Sequence, residues 1–173
     1  MELTQATPAD FDRIAAFYRH VIDHTENADI YCRWKYGLHP SDGMIRDYIR
    51  DGLLYIWAEG GSILAAAAVE PQQGEDYRST AWSLPLADEE VAVVHLLCVE
   101  PQRQKQGLAG KFMRQILDLA GRMGKKAIRL DAISCNLPAQ RLYESLGFSR
   151  RGTQRWYAGN TGWIDFYLYE LIL

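Results

Sequence analysis

Residues 91–123, VAVVHLLCVEPQRQKQGLAGKFMRQILDLAGRM, constrain the fold more than any other stretch of the chain. From Val91 to Val99 eight of nine residues are apolar, His95 being the exception, and Pro101 closes the run. A valine-rich segment so bounded predicts a strand buried on both faces. Past a short basic and amide-rich turn, Leu108, Phe112, Ile116, Leu119, Ala120 and Met123 recur at helical spacing, predicting one buried stripe. The unit reads as strand, tight loop, helix, and any chemistry it carries belongs to the loop.

The first N–H groups of a helix have no partner inside it, and the macrodipole adds positive character there, so a phosphate is favoured. Gly107 lets the main chain approach a bulky anion without a side chain in the way. Ala109 and Gly110 keep the first turn small, while Arg103 and Lys105 add attraction. Neither familiar phosphate signature is present: no lysine follows a G-x-x-x-x-G, and G-x-G-x-x-G is missing. An ordinary strand-to-helix connection would look similar, so the loop needs support from elsewhere.

Composition narrows the classes. With 173 residues, 48% hydrophobic and 24% charged, the chain is expected to form a single domain, 1–173, with a proper core. A formal net charge of -3 leaves no general basic surface for nucleic acid. The apolar stretches are too short to span a bilayer, and the first ten residues lack a signal-peptide pattern, so no membrane partner is expected. Cys32, Cys98 and Cys135, an odd number without metal-like spacing, suit reduced thiols and a cytoplasmic location.

In chain order, residues 2–5 read as a short edge strand. Thr7-Pro8 starts a helix that turns Phe11, Ile14, Ala15, Tyr18, Val21 and Ile22 inward. Residues 27–40 show no clear period. Ser41 caps a second helix with Met44, Ile45, Tyr48 and Ile49 inward. Residues 53–59 and 62–69, around Gly60-Gly61, predict a hairpin. Residues 71–90 read as a long acidic connection. Residues 126–132 alternate as a strand, and 137–146 form a helix with Ala139, Leu142, Tyr143 and Leu146 on one face, capped by Gly147. Residues 148–158 and 163–173 close the chain as a hairpin. This order predicts an α/β (α+β) fold, a mixed sheet with helices on both faces.

Two motifs at their expected separation tie these elements together. Gln104, Gly107 and Ala109 fit the loop pattern Q/R-x-x-G-x-G/A, and Asn136, Ala139, Tyr143, Gly147 and Phe148 fit N-x-x-A-x-x-x-Y-x-x-x-G-F. Together they resemble the GNAT-type N-acetyltransferase superfamily, and the order of elements looks like that family's from end to end. The resemblance implies a twisted seven-stranded sheet, mixed and mostly antiparallel, flanked by about four helices. It implies acetyl-CoA as cofactor, with pantetheine paired to the main chain around Leu97, Cys98 and Val99. The pyrophosphate would then rest on the amides of Gln104, Lys105, Gln106, Gly107, Leu108, Ala109 and Gly110, with Asn136 and Ala139 beside the pantetheine arm. The one departure is Ala109, where glycine is commoner.

The resemblance also implies an acid. A tyrosine at the position of Tyr143 commonly protonates the departing sulfur in that family; a phenol, with pKa near ~10, can donate at neutral pH. Tyr143 also fits a purely core role, and Asn136 a purely capping one. His95 matches a histidine that some members use as base, directly or through water, though a satisfied core histidine is the competing reading. Strand alternation would put Glu100, five residues on, across the sheet from His95. Glu89 and Glu90 are further candidates. Cys135 reads as structural.

The acceptor side would be shaped by the first helices, the mid-chain connection and the last hairpin, which supply Tyr31, Trp34, Tyr36, Trp82, Trp156, Tyr157 and Trp163. With the acidic residues near Trp82 they would suit a cationic amine, although plain loop packing explains them equally well. The expected function is acetyl transfer from acetyl-CoA to a primary amine of a small molecule. A protein or peptide N-terminal acetyltransferase and a non-catalytic acyl-CoA sensor are the alternatives, and a homodimer is left open.

Overall fold

In the computed structural model, which describes residues 1–173, the Val91–Val99 run lies in the middle of a seven-stranded sheet. The elements are β1 (Thr4–Gln5), α1 (Phe11–His24), α2 (Ala28–Tyr31), α3 (Asp42–Arg50), β2 (Leu54–Glu59), β3 (Ser62–Glu70), β4 (Val91–Val99), α4 (Leu108–Arg122), β5 (Ala127–Ile133), α5 (Leu137–Ser145), β6 (Ser149–Ala158) and β7 (Gly162–Ile172). The spatial order is β1-β2-β3-β4-β5-β7-β6, and only β4 and β5 run parallel. No helix is long and apolar enough to cross a membrane. The mixed, mostly antiparallel seven-stranded sheet is as expected; α2 is a short extra helix within the stretch that showed no period.

Two cores form on opposite faces of the sheet. Phe11, Ile14, Tyr18 and Val21 of α1 and Ile45 and Ile49 of α3 bury against Leu54, Ile56, Ala66 and Ala68. On the other face Leu108, Phe112, Met113, Ile116 and Ala120 of α4, with Tyr143 of α5, bury against Ala92, Val94, Ile128 and Leu130. At roughly 1.5–3 kcal/mol for each large apolar side chain removed from water, these contacts fix all four helices to the sheet. The α4 stripe is rotated slightly from the expected one: Met113 is buried, Leu119 partly so, and Met123 is 39% exposed at the frayed end. Residues 71–90 are not a free loop either, because Tyr77 is buried against Val91, Val93, Ala127 and Leu168, on the α1 face of the sheet.

Two irregularities of β4 matter for function. It pairs with β5 only through Val91–Ala127, Ala92–Ile128 and Val93–Arg129, so the backbone beyond Val93 has no β5 partner. Against β3, His95 faces Ala68 while Cys98 faces Ala66, three steps on β4 against two on β3. The extra residue is a bulge at Leu96, whose φ of 54° lies in the left-handed region that a branched side chain rarely occupies. The bulge inverts the alternation. Val91 and Val93 face Tyr77, as His95 does, and beyond the bulge Leu96 and Cys98 join the α1 core while Leu97 and Val99 join the α4 core. The expectation that Glu100 lies across the sheet from His95 is therefore wrong. Glu100 turns to the α1 face, where its Oε1 meets His20 Nε2 at 3.0 Å.

Candidate active site

Where β4 and β5 part, a cavity of about 940 Å³ opens between the two layers of helices. Leu97, Cys98 and Val99 line it from β4, and Asp131, Ala132 and Ile133 from β5. Gly107, Leu108, Ala109 and Gly110 form its floor at the start of α4, with Gln104 and Lys105 just before. Asn136, Ala139 and Tyr143 complete that side from α5. Nearly all of the residues singled out from the sequence are thus brought together. Gln106 is the exception. Its side chain turns back, donating to the Gln102 carbonyl at 3.2 Å and accepting from Arg103 Nε at 3.2 Å.

The α4 end has the character of an anion site. Gly107 caps the helix at φ 74°, a conformation that glycine adopts without the cost other residues incur. The three amides that follow lie within the first turn of a fifteen-residue helix, where N–H groups lack intrahelical partners. The permanent cations of the lining, Arg103, Lys105 and Arg141, all belong to this end. A split strand offering unpaired main chain, a left-handed glycine under a helix start and three cations fit an extended molecule bearing an amide arm and a pyrophosphate.

Tyr143 reaches the cavity from the α4 side. Its ring packs edge-on against Tyr169 at 5.7 Å and tilted against Phe148 at 5.9 Å, so it belongs to the core as well as to the site. Burial, helped by the negative charge of Asp131, pushes its phenol well above the usual range, so the proton is held at neutral pH. The hydroxyl bonds no other protein group, yet no buried polar side-chain atom lacks a partner, so it opens to the cavity. Asn136 is the N-cap of α5, its Oδ1 accepting from the Ala139 amide at 3.2 Å, and it lines the cavity too.

The opposite wall lies on the α1 face. His95 stands edge-on to Tyr77, ring centres 6.3 Å apart, and Tyr77 donates to Asp131 Oδ1 at 2.6 Å. His39 joins them, held by Trp34 at 5.9 Å. Its pKa lies below the usual histidine value, mainly through burial; Asp131 pulls it up and His95 pushes it down. Sequence reasoning missed His39 and Asp131. His39 lies in a stretch without period, but Asp131 carried a signal, being a lone acid that alternates with buried residues along β5. Glu89 and Glu90 are excluded as bases, since they precede β4 at its paired end and Glu90 holds Lys126. Of the aromatic residues expected around an acceptor, Tyr31, Trp34 and Trp156 line the cavity. Trp82 instead packs on Tyr77 and over the Arg129 guanidinium, and Tyr157 and Trp163 are 65% exposed at the hairpin tip.

Asn160 lines the cavity from the β6–β7 turn, and its Nδ2 donates to the carbonyl of Arg33, between the lining residues Cys32 and Trp34, at 3.0 Å. The approach to α4 is also bridged, Gln104 donating to Thr25 Oγ1 at 3.1 Å and Lys105 lying 3.3 Å from Glu26. Both exposed partners of the second pair make it a weak tie.

The family model described as Acetyltransferase (GNAT) family matches residues 15–148. Among solved structures, a GNAT-family acetyltransferase from Streptococcus agalactiae 2603 superposes with a TM-score of 0.75 at 19% identity, covering 99% of this chain and 95% of that one. The ribosomal-protein-alanine N-acetyltransferase of Brucella melitensis gives 0.70 at 18% identity over the whole of both chains. The yncA protein of Salmonella typhimurium, solved with its cofactor acetyl-CoA, gives 0.68 at 22% identity, covering 99% of this chain and 93% of that one. No curated protein sequence matches.

Proposed function

The chain belongs to the acetyltransferase (GNAT) family, whose cofactor is acetyl-CoA, and on that premise we propose that it N-acetylates the primary amine of a small molecule. The observation that carries this reading is the parting of β4 from β5. It gives one cavity two walls, with Tyr143 on the α4 side and His95 on the α1 side.

Leu97 to Val99 would hold the pantetheine arm through their main chain, and the amides from Gly107 to Gly110, with Arg103, Lys105 and Arg141, the phosphates. Bound acetyl-CoA supplies a thioester: a C–N bond forms as the C–S bond breaks, one proton leaving the nitrogen and one being needed by the sulfur. His95 accepts the nitrogen's proton on its imidazole, directly or through a water, since only the neutral amine is a nucleophile. Tyr143 holds its phenolic proton for the departing thiolate, because burial keeps it un-ionised. Asn136 fixes the start of α5 and with it the placement of Tyr143 one helix face along.

The contact between Asn160 and Arg33 supports a small acceptor over a folded protein surface, because it ties the β6–β7 turn to the segment carrying the lining residues Cys32 and Trp34. Three free thiols, Cys32, Cys98 and Cys135, support a reducing, cytoplasmic setting. The test is acetyl-CoA with a panel of small amines and N-terminal peptides, following thiol release and the N-acetyl product by mass. Product from small amines is expected. CoA binding without thiol release from any acceptor would make the chain a sensor, and product from peptides alone would reassign the acceptor.

A further inference from the structure

The charges of the cavity are segregated. Arg103, Lys105 and Arg141 stand at the α4–α5 end, and its carboxylates are Glu26, paired with Lys105, and Asp131. Asp131 is in no ion pair; its Oδ1 is taken by the Tyr77 hydroxyl at 2.6 Å. Arg129, two residues earlier on the same face of β5, is not available to it. That guanidinium is held by Glu170 at 2.9 Å and by Gln73, and it stacks on Trp82 at 4.1 Å. The surroundings of Asp131 are aromatic. Tyr77 packs 6.0 Å from Trp156, Trp156 lies 5.1 Å from Phe166, and both Trp156 and Phe166 line the cavity. The nearest bases are His39, kept on the neutral side by burial, and His95. An unpaired carboxylate set among ring faces attracts an ammonium by charge and by cation–π contact. It repels a second carboxylate, and no lysine or arginine on that wall offsets the repulsion.

We infer that Asp131 is the anchor for the ammonium form of the acceptor, selecting small primary amines with an apolar or aromatic body and no carboxylate. The inference rests on the acetyl transfer proposed above. Asp131 draws in the charged amine, and His95, across Tyr77 from it, takes the proton that must leave before attack. Asp131 is thus a specificity residue, with its effect in acceptor binding and not in the departure of the thiolate.

The test uses phenethylamine and phenylalanine as probes, which differ by one carboxylate, with wild type and Asp131→Asn. The asparagine keeps an oxygen to accept from Tyr77. Wild type should favour phenethylamine by on the order of 10²-fold in kcat/KM, since like charges juxtaposed in a desolvated site are costly. In the variant that preference should shrink to within about ten-fold through a raised KM for phenethylamine, with kcat nearly kept. CoA affinity and thermal midpoint should stay as in wild type. Equal use of both probes by wild type overturns the inference and leaves the transferase reading standing. So does a variant that loses both probes equally with a lower thermal midpoint, which would make Asp131 a structural partner of Tyr77. Should the variant not fold, inhibition of wild type decides. N,N-dimethylphenethylamine must compete more strongly than 2-phenylethanol, and 3-phenylpropanoate least; any other order overturns the inference. No thiol release with any amine removes the transferase reading and the inference with it.

Discussion

The buried hydroxyl of Tyr18 donates to the Leu96 carbonyl at 2.9 Å, linking the middle of α1 to the one left-handed residue of β4. That bond holds the bulge on which the cavity depends, because the bulge re-aims the main chain that the cofactor arm would pair with. Tyr18→Phe leaves the carbonyl unsatisfied in the core, a cost of about 1–3 kcal/mol. Urea unfolding should show that loss, and calorimetry should show weaker CoA binding as the bulge relaxes. Unchanged CoA affinity in a destabilised variant would separate the bulge from the cofactor.

Gly107 and Gly124 have nearly the same φ, 74° and 73°, and open space where a Cβ would sit, but only Gly107 underlies the cavity. Alanine at either position should cost about 1–2 kcal/mol, the left-handed penalty. Only Gly107→Ala should also weaken CoA binding, by crowding the anion site. Equal CoA affinity in the two variants would remove the loop from the cofactor site.

Tyr143→Phe keeps the ring that packs against Phe148 and Tyr169 and deletes a hydroxyl without a protein partner, so stability should change by less than about 1 kcal/mol. Turnover should fall on the order of 10² to 10⁴-fold with CoA affinity kept, as for a general acid. His95→Gln should lower turnover too, because the attacking nitrogen loses the group that accepts its proton. Wild-type turnover in either variant would return that residue to packing.

His39 has a folded pKa below its usual value of 6.5, so the unfolded chain binds its proton first as pH falls. Its contribution is complete above about pH 6.5 and is lost as pH drops through the depressed value. Stability measured in urea at pH 7.5 and 5.5 should therefore fall less in His39→Gln than in wild type. An identical fall in both would mean that another group drives the acid loss.

By itself the sequence determined the elements and singled out the residues proposed for the cofactor end of the site. Those signals are local: the apolar run of β4, the stripe of α4, and Gly107 and Asn136, each fixed in place by itself or by a neighbour a few residues away, whereas the Gln104 side chain is held by Thr25 and Tyr143 packs on Tyr169. Gly107 needs only its own φ, and Asn136 only the amide of Ala139. The wall proposed for the acceptor was decided by tertiary structure. His39, Tyr77, His95 and Asp131 come from four separate segments and meet only because the sheet pairs and splits as it does. The face taken by Glu100 was settled in the same way. Period-2 alternation holds while a ladder is regular, and one extra residue at Leu96, held by Tyr18 from 78 positions away, reverses every side chain that follows.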